Sequence, residues 1–328
     1  MKTSSVTLLT KHVLTERVMD GLESVHALAA SPGFSQDGVC CAAGTGGLYL
    51  SCDGGRSWQD ACASLALASP LVTTAVVFSP DFAHDRTLFA SVPGGVLRSH
   101  DAGTTWHVAP LSSPPPFVTA LAVSPNYAKD GLIFAATLED GILRSCDRGA
   151  TWAAWNFGLL DFHVYALALS PNFAHDDTLY VGCESGIFRS SSSGRGWQET
   201  AFPMDCAPVL SLALSPDFTT DGVIFAGTEA SGLWISSDRG VTWRAVSGWE
   251  TPGPINALIL PPTFAQQPWI LAVTDTALCL SRDGGMSWQV QHSIKLTGIT
   301  CAAALSIDQP NIQVILGTSD GGVLLCKL

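Results

Sequence analysis

The sequence predicts an all-β fold: a seven-bladed β-propeller of four-stranded antiparallel blades, the last blade closed by the N-terminal strand. Three observations predict it. An octapeptide of the pattern S-x-D-x-G-x-[ST]-W recurs six times, at 51–58, 99–106, 145–152, 190–197, 236–243 and 281–288. Apolar runs ending in Ser-Pro or an equivalent recur seven times, and each carries a small residue (Ala27, Ala75, Ala120, Ala166, Ser211, Ala257, Ala302) 45 to 48 positions from the next. Charged residues are 13% of the chain against the usual ~25%, which suits strands covered on both faces. A period of this length marks an array of supersecondary units.

In chain order, residues 6–14 read as a strand and 15–23 as a loop or one helical turn. Seven units follow, at approximately 24–70, 71–116, 117–162, 163–207, 208–253, 254–297 and 298–328, as one domain. Each opens with the apolar run, whose small residue fits a crowded innermost strand. A loop such as 171–176 (PNFAHD) comes next, then a second strand, a short turn, a third strand and the octapeptide, with a fourth strand starting at its Trp. Four strands in about 45 residues make one propeller blade. The seventh unit stops after its third strand, so residues 1–16 are expected to supply the fourth and remove the open edge.

The octapeptide is suited to a hairpin. Gly tolerates positive φ, Asp accepts backbone N–H bonds just ahead of it, and Trp covers the turn. Asp53, Asp101, Asp147, Asp238 and Asp283 are therefore structural; one carboxylate per loop is too few for calcium. In the fourth copy Ser192 replaces Asp and Gly196 the hydroxyl residue, yet Trp197 stays. These motifs resemble the Asp-box (BNR) repeat family, which includes sialidases, xyloglucan hydrolases, sortilin-type receptors and a photosystem II assembly factor. The resemblance implies the propeller, but the family holds both enzymes and binding proteins, so it implies no one activity.

The net charge of −12, from 28 acids and 16 bases, argues against nucleic acid as a partner. No run approaches the ~18 apolar residues of a membrane span, so no membrane insertion is expected. The ten cysteines show neither paired spacing nor a Cys/His cluster. Free thiols in a cytoplasmic protein, with no metal and no cofactor, are the expectation. His84 and His175 stand where sister loops carry Lys129, Thr220 or Gln36, and so read as solvated loop residues.

Function is expected on the face opposite the octapeptides. There the turns between second and third strands carry Glu139, Glu184, Glu229, Asp275 and Asp320, and the inter-blade crossings add Trp155, Phe162 and Trp249. Acids beside aromatics suit a basic or mixed peptide of another protein, so a non-catalytic binding scaffold is expected. The alternative is a carbohydrate-acting hydrolase or lyase, with a glycan as ligand and acids such as Asp161, Asp205 or Glu250 as its pair. Arg98, Arg144 and Arg189 lie just before the octapeptides, on the other face, which argues against a sialidase.

Overall fold

The apolar runs pair in sequence order into seven four-stranded antiparallel sheets, the blades of a β-propeller. The computed structural model describes residues 14–67, 69–291, 296–306 and 312–328. Blade 3 shows the plan: Val118–Val123 is innermost, followed outward by Ile133–Thr137, Ile142–Ser145 and Ala153–Ala154. Second strands such as Ile133–Thr137, Leu179–Cys183 and Ile224–Thr228 are buried at every position. Both of their faces meet a neighbouring blade, so they read as unbroken apolar runs.

The loop after each inner strand is one turn of helix in blades 1–5, for example Phe173–Asp176. Ser170 Oγ donates to Asp176 at 2.6 Å and Asp176 accepts Thr178 N–H at 2.9 Å, closing the loop on itself. The same Ser–Asp clasp recurs at Ser31, Ser79, Ser124 and Ser215. The aromatic residue opening the turn joins the blades. Tyr127, Phe173 and Phe218 meet Phe89, Phe134 and Tyr180 of the preceding blade edge-on at 5.8–5.9 Å. His84 and His175 point into solvent.

Around the inner edge, six inner strands carry a bulge at one register position, occupied by His26, Thr119, Tyr165, Leu210, Asn256 and Thr300. Thr119 Oγ1 donates to Val164 O at 2.6 Å, Asn256 Nδ2 to Ile299 O at 2.7 Å and Thr300 Oγ1 to Val25 O at 2.5 Å. Each bond runs from one blade to the first inner residue of the next, and the last joins blade 7 to blade 1. The small position of blade 7 is Cys301 rather than Ala302. Cys301 pairs with Gly317 as Ala27 pairs with Ala43, and a second bulge before Ser306 displaces the sequence count by one.

Blade 7 is closed by an N-terminal strand, which among the described residues is Leu14–Met19 and so runs past the expected limit at residue 16. Residues 15–19, read from sequence as loop or helical turn, pair antiparallel with Val323–Lys327. The unpaired edge of that third strand offers more hydrogen bonds than a local turn would. The rest of the expected strand, 1–13, lies outside the described residues. Arg17 adds exposed ion pairs beside the pairing, to Asp20 at 2.5 Å and to Asp320 at 3.2 Å.

Candidate functional site

Two kinds of loop share one face of the ring. The octapeptide hairpins sit against the helical turns: Arg148 N–H donates to Gly131 O at 3.1 Å, and Arg239 N–H to Gly222 O at 3.0 Å. Within the third hairpin Asp147 accepts Thr151 N–H at 2.9 Å, Thr151 Oγ1–H at 2.5 Å and Ser145 Oγ–H at 2.8 Å. Asp53, Asp101, Asp238 and Asp283 are held alike. Bonding from Thr105 lowers Asp101 to about 2. At Asp147 burial pushes up, but the Thr151 bonds outweigh it and hold the carboxyl at about 2. These groups are fully committed acceptors.

The opposite face carries the turns between second and third strands. Thr137 and Thr228 shape two of them by donating to Gly141 O and Gly232 O at 2.8 Å. The next residues are thereby turned outward, and Glu139, Glu184 and Glu229 are exposed. None of the three has a Lys or Arg within ion-pair distance among the described residues. Asp275 is half-buried. Asp320 is exposed, yet bonds from Thr318 and Arg17 hold its carboxyl below the usual range, so it serves the closure.

The aromatic residues divide differently from the sequence expectation. Phe162 is exposed (42%) at the crossing into blade 4. Trp155 is half-buried between blades 3 and 4. Its ring stacks on the Arg144 guanidinium at 4.3 Å, and its carbonyl accepts Trp197 Nε1–H at 2.8 Å. Trp249 is half-buried too, edge-on to Trp288 at 5.0 Å. Large rings at these crossings fill gaps between blades, because burial of so much apolar surface outweighs display. Phe157, Leu160 and Met204, in the same crossings, are the more exposed apolar groups, at 84%, 78% and 65%.

A group across blades 4 and 5 gathers residues that sequence reasoning had not joined. Asp161 accepts Ser185 N–H at 2.7 Å and His163 N–H at 2.9 Å, tying the crossing to the turn of blade 4. Burial pushes its carboxyl up, but those bonds outweigh it and the net shift is down. His163 Nδ1 lies 3.3 Å from Asp161 and 3.6 Å from Glu184. Tyr165, on the bulge of the inner strand, is raised by burial and then by Glu184, Asp161 and Glu229. The signal for Tyr165 was its register with His26, Thr119 and Asn256. The signal for His163 was its place two residues after Asp161. Among the described residues no group of three or more His, Cys, Asp or Glu is arranged to hold a metal ion. No helix among them is long and apolar enough to cross a membrane.

Fold and face together define a seven-bladed propeller with one clasped and one irregular side. No family model and no curated protein matches the chain. Solved structures do. It is similar to a GH74 xyloglucanase from Xanthomonas campestris, with TM-score 0.70 and 20% identity over 94% of this chain and 53% of that one. The chain thus spans about half the length of that enzyme. It is equally similar to YCF48 solved with a D1 peptide, with TM-score 0.70 and 17% identity over 95% and 96% of the two chains. A third neighbour is the extracellular domain of a putative one component system from B. thetaiotaomicron, at 0.70 and 18% over 96% and 40%. At these identities the likeness is one of fold.

Proposed function

We propose that this chain is a non-catalytic propeller of the Asp-box repeat kind that holds a basic or mixed segment of another protein on its irregular face, across blades 3 to 5. One observation carries the reading. Glu139, Glu184 and Glu229 project there with no Lys or Arg partner among the described residues, Glu184 meeting only His163, beside exposed Leu160, Phe162 and Met204. Acidic groups without Lys or Arg partners beside exposed apolar surface suit a docking surface. YCF48, of the same fold and nearly the same extent, was solved with a peptide bound, which supports this use of the fold. The ten free cysteines favour a reducing compartment, and we place the protein in the cytoplasm. The carbohydrate-acting reading rests on the xyloglucanase likeness, and it is weakened at Asp161, whose backbone bonds keep it ionised and unsuited to act as an acid.

The test is affinity capture from the native host, followed by kinetics on the captured partner. Changing Glu139, Glu184 and Glu229 to Gln should slow association and flatten its salt dependence. Phe162→Ala should speed dissociation, at a cost of ~1–2 kcal/mol. A partner footprint on the hairpin face, with both variants binding normally, overturns the proposal.

A further inference from the structure

His163 stands where the repeat asks only for a backbone carbonyl. His163 O accepts Glu184 N–H at 3.1 Å, as Phe117 O accepts Leu138 N–H at 2.9 Å in blade 3 and Pro208 O accepts Glu229 N–H at 3.1 Å in blade 5. Each acceptor lies just before the first paired residue of its inner strand, Val118, Val164 or Val209. The side chain at that register is Phe, His or Pro, so the tie needs no imidazole. The chain nevertheless holds the ring in one place. His163 N–H donates to Asp161 at 2.9 Å, so its main chain is fixed to the crossing on one side and to the turn of blade 4 on the other. The side chain, 47% exposed, is left between two carboxylates, with Nδ1 3.3 Å from Asp161 and 3.6 Å from Glu184.

The charged and titratable groups around it come from four elements. Asp161 is on its own crossing, Glu184 on the turn of blade 4 and Tyr165 on the inner strand, where Glu229 of blade 5 also acts on the phenol. The turn of blade 3, bonded to the crossing from Gly141 N–H to Phe162 O, carries Glu139 and Asp140. Among the described residues no Lys or Arg forms an ion pair with any of these acids. Burial pushes the Asp161 carboxyl up, but its hydrogen bonds hold it below its ordinary value, and burial raises Tyr165 above its own, so neither changes charge between pH 5 and 8. Histidine is the side chain that gains a positive charge in that range. The other described histidine of blades 3 to 5, His175, lies in a helical turn on the opposite face.

We propose that His163 makes the docking face sensitive to protons: neutral, it leaves Glu184 open to a cation of the bound segment, and protonated, it takes that carboxylate itself and the segment is held less tightly. The switch rests on the docking role of this face and adds its regulation. Glu229 is the unswitched counterpart, since Pro208 stands in blade 5 where His163 stands in blade 4. Coupling of this kind is reciprocal, so a bound cationic segment makes the ring harder to protonate. Affinity therefore falls as pH falls.

The experiment measures binding of a fluorescent peptide of alternating lysine and phenylalanine to the full chain at pH 7.5 and 5.5, with the His163 imidazole followed by NMR. Affinity should be about two- to fivefold weaker at the lower pH, the range that an exposed ion pair supports. The His163 midpoint should fall when the peptide is added and again in Glu184→Gln. His163→Gln should lose the pH dependence, whereas Glu229→Gln should weaken binding at both pH values and keep it. Affinity that is unchanged between the two pH values, that falls equally in His163→Gln, or a midpoint indifferent to Glu184→Gln overturns the switch alone. A peptide that binds at neither pH overturns the docking role together with it.

Discussion

Asp147 shows how a single carboxylate shapes a hairpin. It accepts four hydrogen bonds within its own octapeptide, from Ser145, Ala150 and twice from Thr151. Asp147→Asn keeps the shape and removes the charge, so it should cost about 0.5–1 kcal/mol at neutral pH, given the group's exposure. The pH dependence has a definite sign. The folded-state value is about 2 against an ordinary 3.8, so the stabilisation is complete above about 3.8 and fades as pH falls through about 2. Urea unfolding of parent and variant should therefore differ at neutral pH and converge near pH 2; a constant gap contradicts the assignment. This clasp was legible in the sequence because all its bonds span four residues or fewer. The Ser–Asp clasp of the helical turns, six residues long, repeats as faithfully but has no familiar spelling. The states of Asp320, Trp155 and Trp249 were not legible, because Arg17, Arg144 and Trp288 reach them from other strands or blades.

At the scale of the element, the closing strand decides whether the ring has an edge. Leu14–Met19 covers Val323–Lys327, and Leu325 and Cys326 are buried beneath it. Removing residues 1–19 should expose that strand, lower stability by about 3–6 kcal/mol and promote self-association. Sedimentation and melting curves read both effects, and a monomer with unchanged Tm refutes the role. Arg17→Ala, by contrast, loses only exposed ion pairs and should cost under about 1 kcal/mol. The sequence told that a strand was missing from blade 7, since the count of strands is arithmetic. It did not tell which residues supply it, because register here is chosen by a partner 311 positions away.

The circuit of blades is tied across several of its seams by bonds of the inner edge, among them Thr119 to blade 4 and Thr300 back to blade 1. Buried thiols report on that circuit from several blades. Cys41, Cys183, Cys279 and Cys326 are buried, while Cys52 and Cys146 are exposed on their hairpins. Burial raises Cys326 to about 11, which further slows its reaction. A thiol reagent should label Cys52 and Cys146 in the native protein. These four thiols, with the buried Cys40 and Cys62, should follow together, at the rate of global unfolding, if the blades open as one unit. Staggered labelling, blade by blade, shows independent opening instead.

The pairing of Thr15 with the strand of Cys326 also has a consequence during synthesis. A ribosome adding roughly 5–20 residues per second delivers Cys326 some 15–60 seconds after Thr15. Through that interval six blades can assemble on the emerging chain while the first strand waits for its mate. Leu14–Met19 therefore passes that whole interval without its partner strand, and the ring can close only once Val323–Lys327 has been made.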